Sequence, residues 1–340
     1  MAEALWYVGL DVGGTTMKAA VVDDNGAAAE SVSLPTEPQF GQEHGLATMA
    51  EAIRQAVTAA KLKMGDIAAI GVATPGMMDL RRGLILDPPN LKPWRNVPVR
   101  DTIQKTFKKP TAFQNDANAA AFGEYWVGAG RDFHSLVLFT LGTGVGGGVI
   151  INDRVIEGAH SHGGELGHMR IALPEGGRMC GCGRQGCLEA YASATGVVGR
   201  TREAIAAHRG PTRLRELLRD DDGDAMTAEE VFDVAAKGDP LAVRIVDDTA
   251  YYLALGASAI ISVVDPELIV YGGGMIAAGE PFLAKIREYV GRFALSYPAK
   301  QVEIRYAQLG SDAGFIGAAA CARQLVKQGG FVPSPLGGEG

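Results

Sequence analysis

The chain has 340 residues and a mass of 35.6 kDa, room for two ordinary domains but not three. Hydrophobic residues make up 47% and charged residues 21%, so the chain can bury a proper core, and disorder is excluded as its main state. A net charge of −7 argues against a nucleic-acid surface, and no run reaches the 18 apolar residues that a membrane span needs. The start, MAEALWYVGLDVGG, carries no basic region followed by a long apolar stretch, so no signal peptide is expected and a cytoplasmic enzyme is the natural reading.

Residues 5–23 predict a hairpin whose turn holds Asp11, Gly13, Gly14, Thr15, Thr16 and Lys18. Leu46, Met49, Ile53 and Val57 recur at helical spacing and predict a helix over 44–63. A buried strand is expected at 67–73, running into Thr74-Pro75-Gly76. Residues 86–98, with four prolines, are expected to be irregular. A helix over 99–109 and a strand over 110–114 then lead to Asn115-Asp116, and 117–127 favour helix. A second hairpin is predicted from 135 to 151, with residues 142–148 as its glycine turn. Its likeness to the first suggests an internal repeat. Helical stretches fill 193–261, interrupted at Asp220–Asp224, and a strand at 268–271 meets Gly272-Gly273-Gly274. An alternating strand at 302–306 and a helix at 314–328 follow. The tail from Gly329, rich in glycine and proline, is expected to be disordered. This order predicts an α/β fold in two lobes, with a hinge near Asp116.

Glycine, at 46 residues, has roughly twice its usual share of about 7%. It clusters beside apolar runs, as phosphate loops do, because backbone N–H groups can reach an anion where no Cβ stands in the way. In DVGGTTMK, Thr15, Thr16 and Lys18 add donors, and Asp11 can hold Mg²⁺ or its water shell. The segment is neither a Walker loop nor a clean GxGxxG, and an ordinary turn is the plain alternative. Three of the four cysteines fall within eight residues, in the pattern His168-(x11)-Cys180-x-Cys182-(x4)-Cys187. Three thiolates and an imidazole suit tetrahedral zinc, whereas a disulfide would leave an odd thiol. Cys321 reads as a core residue. Asp116 at a strand end could accept a hydroxyl proton or merely cap the next helix. Glu165 and Glu189 flank the cysteine loop and could accept hydrogen bonds from a polyol.

Taken together, LDVGGTTMKAAVVD, NDAN at 115–118, LGTGVGGGVI at 141–150, GGELGHM at 163–169 and CGCGRQGCLEAYAS at 180–193 resemble the ROK family of bacterial sugar kinases and sugar-responsive repressors. The motifs extend over most of the chain. The resemblance implies a two-lobed actin-like ATPase (ribonuclease H-like) fold with an inserted zinc loop. Residues 1–116 would form the small lobe, completed by the helix at 314–328, and 117–313 the large lobe, with 329–340 as a tail. It implies Asp116 as catalytic base and Gly76, Asn90, Asn115, Asp116, Glu165, His168 and Glu189 as sugar contacts. Asp11, Gly13, Gly14, Thr15, Thr16, Lys18, Thr143 and Gly144 would serve the phosphates, and Gly272, Gly273 and Gly274 the nucleotide. His168, Cys180, Cys182 and Cys187 would hold structural zinc. Asp265 stands where many members carry asparagine.

The expected reaction is ATP-dependent phosphorylation of the 6-hydroxyl of glucose, with Mg²⁺ accompanying ATP. The alternatives are N-acetylmannosamine, fructose, mannose or allose as acceptor, or polyphosphate as donor. No strong basic run lies outside Lys105–Lys109 to form a polyphosphate groove. A repressor is disfavoured, because the first hairpin begins near Leu5 and leaves no room for a helix-turn-helix segment. A zinc-ribbon RNA binder fails for want of basic and aromatic residues in the cysteine loop. No nucleic acid or membrane partner is expected, and a homo-oligomer, dimer or tetramer, is.

Overall fold

The computed structural model describes residues 5–218 and 226–329. The acidic interruption expected at Asp220–Asp224 and the tail beyond Gly329 lie outside the described residues. In chain order the elements are β1 (Trp6–Val12), β2 (Thr16–Asp23), β3 (Val32–Pro35), α1 (Gln42–Ala59), β4 (Ile67–Thr74), β5 (Met77–Asp79), β6 (Leu84–Asp87), α2 (Val99–Phe107), β7 (Thr111–Asn115) and α3 (Asp116–Val127). There follow β8 (Leu136–Leu141), β9 (Val145–Ile151), β10 (Arg154–Val155), α4 (Glu189–Ala192), α5 (Ala194–Ala207), α6 (Ala228–Ala236) and α7 (Pro240–Val264). The last are β11 (Leu268–Gly272), α8 (Gly279–Phe293), α9 (Pro298–Gln301), β12 (Glu303–Tyr306) and α10 (Ala313–Lys327).

Two compact units result. Over their described residues, the first takes the chain as far as His134, then Gly148–Gly164, then everything from Gln308. The second takes Ser135–Gly147 and Glu165–Ala307. One five-stranded sheet has the order β3-β2-β1-β4-β7, the other β10-β9-β8-β11-β12. The orders are equivalent, third-second-first-fourth-fifth strand of each set, so the repeat suspected from the two glycine turns extends to the whole sheet. In the first sheet β1–β2 and β2–β3 are antiparallel, whereas β1–β4 and β4–β7 are parallel. In the second, β8–β11 and β11–β12 are parallel.

Strand alternation fixes the two faces of the first sheet. Val8, Leu10 and Val12 point into a core closed by Met49, Ile53 and Val57 of α1, while Tyr7 packs on the other face with Phe315, Ile316 and Ala319 of α10. That second face demands a close approach. A Cβ on Gly9 or Gly71 would overlap the carbonyl oxygens of Phe315 and Ala318, so α10 sits nearly on the backbone of β1 and β4.

Three departures from the sequence reading have physical causes. Residues 142–148 are not all turn: β9 begins at Val145, and Gly148 is glycine because α3 crosses it, with Ala117 O and Ala121 Cβ where a side chain would stand. The stretch expected to be irregular from residue 86 begins inside β6, whose last two residues, Leu86 and Asp87, belong to a hairpin with β5. The helix α8, with Phe282, Leu283, Ile286 and Val290 buried at helical spacing, falls where the reading placed no element, as does the short strand β3.

Candidate active site

Each unit carries chemistry at the carboxyl ends of its parallel strands, where open α/β sheets place ligands. In the first unit these ends belong to β1, β4 and β7. Asp11 sits near the end of β1, paired across β2 with Lys18 and across β4 with Ala73. The turn beyond it is cinched by Gly13 N–H to Thr16 O at 2.9 Å, Thr36 Oγ1 to Gly13 O at 2.7 Å and Thr36 N–H to Thr15 O at 2.8 Å. Thr36 is fully buried, and no local motif marked it. Asn90 lies against Gly14, so the loop from the β5–β6 hairpin reaches the glycine turn. Gly76 follows β4 with φ +91°.

Lys18 is already committed. Its Nζ lies 2.6 Å from Asp312 Oδ1, 3.4 Å from Ser311 Oγ and over the Phe315 ring. Its partners arrive from about 290 residues away in sequence, so no spacing rule could have found them.

Asn115 closes β7 and caps α3, its Oδ1 accepting from Ala117 N–H at 3.0 Å and Asn118 N–H at 3.2 Å. Of the two roles weighed for the next residue, capping is taken by its neighbour: Asn115 is the cap, and Asp116 is the first residue inside the helix. Asp116 Oδ1 also accepts from Ala117 N–H at 2.8 Å. Asp11 and Asp116 feel each other. Enclosure of the Asp11 carboxylate, one oxygen of which lies against Gly314 of α10, pushes its pKa up to about 7, with the charge of Asp116 adding and Lys18 opposing.

In the second unit, the turn Gly142–Gly144 follows β8, and Gly272 ends β11, opposite Thr140 in the parallel register, with Gly273 and Gly274 after it. Gly273 packs on the Leu141 backbone, so the two glycine stretches are neighbours and Thr143 stands beside them. Glu189, at the start of α4, explains Gly144: its Oε2 accepts from Val145 N–H at 3.0 Å and occupies the place a Cβ would take. The Glu189 Oε1 accepts from the Cys180 thiol at 3.2 Å. One carboxylate therefore joins the glycine turn to the cysteine loop. Thr195 Oγ1 donates to Thr143 O, and Ala194 N–H to Gly142 O, holding the same turn from α5.

The ligand atoms of His168, Cys180, Cys182 and Cys187 all lie within 4.8 Å of one another. Cys180 Sγ is 3.8 Å from His168 Nδ1, and Cys182 Sγ is 3.8 Å from Cys187 Sγ. Donors at tetrahedral corners around a metal at about 2.3 Å stand about 3.8 Å apart. These two separations are those of a set that could hold a tetrahedral metal ion, and the sulfur–sulfur distance is far from the about 2.05 Å of a disulfide. The loop is shaped without the metal as well: Arg178 makes two bonds to Glu203 of α5, at 2.5 and 2.8 Å, and a third to Ala190 O. Glu165 and His168 are both exposed, Glu165 preceding and His168 closing the short turn Leu166–His168, which Gly167 seats against Val145 O. Among the described residues, no helix is long and apolar enough to cross a membrane.

The ROK family model matches residues 7–325. The glucokinase of Halalkalibacterium halodurans is 37% identical over 319 residues, 94% of this chain and 95% of that protein. The crystal structure of the ROK hexokinase from Thermus thermophilus is 35% identical with a TM-score of 0.80, covering 96% of this chain and all of that one. The structure of a ROK family glucokinase from Streptomyces griseus, in complex with glucose and AMPPNP, is 33% identical with a TM-score of 0.77, over 94% and 99% of the two chains.

Proposed function

The chain belongs to the ROK family and is a sugar kinase, and from that premise we propose that it transfers the γ-phosphoryl group of ATP to the 6-hydroxyl of glucose. The observation that carries the proposal is the placement of Asn115-Asp116 at the end of β7, with Asp116 near enough to Asp11 for the two charges to interact. Phosphoryl transfer to an alcohol asks for one carboxylate that takes the hydroxyl proton and another that can serve the cation accompanying the nucleotide. Asp116 has the first role. Asp11 has the second: it would hold Mg²⁺ or its water shell, and Mg²⁺ bound with ATP neutralises phosphate charge. Gly14, Thr15 and Thr16 offer donors to phosphate, with Gly13 shaping their turn through its N–H to Thr16 O. Thr143 and Gly144 offer donors likewise, and Gly272, Gly273 and Gly274 serve the nucleotide. Lys18 supports this arrangement by tying β2 to the start of α10.

For the sugar, Glu165 and Glu189 supply acceptors for hydroxyl protons, and His168, with one ring nitrogen given to the metal, donates from the other. Asn115, whose Oδ1 is taken by Ala117 and Asn118 N–H, offers its amide N–H, with Gly76 and Asn90 as further contacts. Glu189 Oε2 is engaged by Val145 N–H but keeps a lone pair, and Oε1 is open to a hydroxyl once the Cys180 thiol gives up its proton to bind the metal. The fold is read as actin-like and the cysteine loop as a zinc loop. His168, Cys180, Cys182 and Cys187 would hold that ion, and four protein ligands make its role structural. The names of the relatives support glucose, and the AMPPNP complex of the Streptomyces griseus protein supports ATP.

The test is an ADP-release assay over glucose, mannose, fructose, allose and N-acetylmannosamine, repeated as sugar-phosphate formation with polyphosphate as donor. A kcat/KM for glucose and ATP at least tenfold above every other pair supports the proposal. Preference for another hexose, or for polyphosphate, overturns it.

A further inference from the structure

A cavity of about 570 Å³ lies in the first unit, against the free edge of β7 and the carboxyl-terminal half of α10. It is distinct from the site above. Gly314, which touches Asp11, and Gln324, which lines the cavity, are ten residues apart on α10, about 15 Å at 1.5 Å per residue. The size is that of a small-molecule site, about 300–1,000 Å³.

The lining has a definite chemistry. Three arginines line it, Arg81, Arg100 and Arg154, against one acidic residue, Glu157, in a chain whose net charge is −7. Arg100 is buried and spoken for: it donates to Leu80 O at 3.2 Å and Arg81 O at 3.0 Å, and pairs with Asp101 at 3.1 Å. It thereby fixes the chain segment that presents Arg81. The guanidiniums of Arg81 and Arg154 have no hydrogen bond or ion pair among the described residues. Gln324 and Gln328 of α10 and its following turn add side-chain amides that are likewise without partners among the described residues. Glu157 is held in place by Gln114 Nε2 at 2.8 Å.

We propose that this cavity is a second ligand site, for a hydroxylated phosphate ester. Two unpaired guanidiniums are the donors for a phosphate, which takes planar, charge-assisted hydrogen bonds from arginine. The Glu157 carboxylate and the glutamine amides are the partners of hydroxyl groups, which a bare anion would leave unused. Occupancy would be felt at Asp116, because Gln114, which holds Glu157, also accepts from Asn115 N–H at 2.8 Å.

The experiment is calorimetric titration of the full chain with glucose 6-phosphate, with inorganic phosphate and sorbitol as comparators, on the wild type and on Arg81→Ala/Arg154→Ala. Both arginines are exposed, so the double variant is expected to keep its thermal transition and its glucose affinity. Glucose 6-phosphate entering the catalytic site would do so equally in both proteins, so the difference isolates the cavity. The expected result is a binding event that the double variant weakens at least tenfold. Superimposable isotherms for the two proteins overturn the site. Equal affinity for inorganic phosphate overturns its polyol half, and equal affinity for sorbitol overturns its anion half. None of these outcomes depends on which hexose the catalytic site phosphorylates.

Discussion

Asp116 is the residue on which the proposed chemistry turns, and its surroundings make it a clean target. Asp116→Asn keeps an oxygen that can accept from Ala117 N–H, and the cap on α3 belongs to Asn115, so the helix start should persist. What is lost is the ability to take a proton. A fall in kcat of about 10²–10⁴-fold with glucose affinity kept is expected, and steady-state kinetics beside glucose calorimetry would measure it. Retention of more than about a tenth of the turnover would remove Asp116 from the base role. The residue types at this site were legible in the sequence because they fall in short motifs: Asp11 with its glycines, Asn115 with Asp116, and the cysteines with His168. Their partners were not. Thr36 on the first turn, Asp312 on Lys18 and Thr195 on Thr143 are set by tertiary contacts that leave no local spacing.

Among the elements, α10 and the cysteine loop carry the clearest tests. The carboxylate of Glu124, fully buried on α3, accepts from Ala129 N–H at 2.8 Å, from Gln308 N–H at 2.9 and 3.1 Å, and from Leu309 N–H at 2.8 Å. The last two lie on the strand-to-helix connection that delivers Asp312 to Lys18 and Gly314 to Asp11. Glu124→Gln turns one of those oxygens into a donor facing donors, and should cost about 2–3 kcal/mol, the scale of a charged hydrogen bond lost in a buried setting. Denaturant unfolding measures it, and a change under about 0.5 kcal/mol, the size of an ordinary surface substitution, would deny Glu124 this role. In the cysteine loop, Cys182→Ser should damage glucose binding more than nucleotide binding. Glu165 and His168 depend on that loop, whereas Gly142–Gly144 is held from α4 and α5 by Glu189, Ala194 and Thr195. Losses of this supporting kind run about 10–100-fold. Calorimetry with glucose and with AMPPNP separates the cases, since equal weakening of both would mean general destabilisation. Strong periodicity made α1, β4 and α10 legible. The start of β9 was obscured because Gly148 serves the crossing of α3 rather than a turn, and α8 because Gly279, Pro281 and Gly291 punctuate an otherwise helical pattern.

For the molecule as a whole, the repeated sheet order means that one arrangement, a glycine turn between the first two strands beside parallel neighbours, is used in both sheets. The version in the first unit carries a cost in stability. Asp11 has an ordinary pKa of 3.8 in the open and about 7 when folded, so the folded chain binds this proton more tightly than the unfolded one. Stability contributed by the protonated form is therefore fully present below about pH 4, declines as the pH rises, and is gone above about pH 7, where the loss amounts to about 4 kcal/mol. Asp11→Asn removes the titration while keeping the shape. In protein without nucleotide or magnesium, the variant should melt about 5 °C above the wild type at pH 8 and level with it near pH 4. The same variant should lose most of its kinase activity, since the carboxylate is kept at this cost for the cation that arrives with ATP. Thermal unfolding across pH 4 to 8, beside activity at pH 8, decides the matter. A melting difference that stays constant across that range would mean that Asp11 does not hold its proton as the surrounding groups dictate. A stabilised variant with full activity would take Asp11 out of the phosphate chemistry.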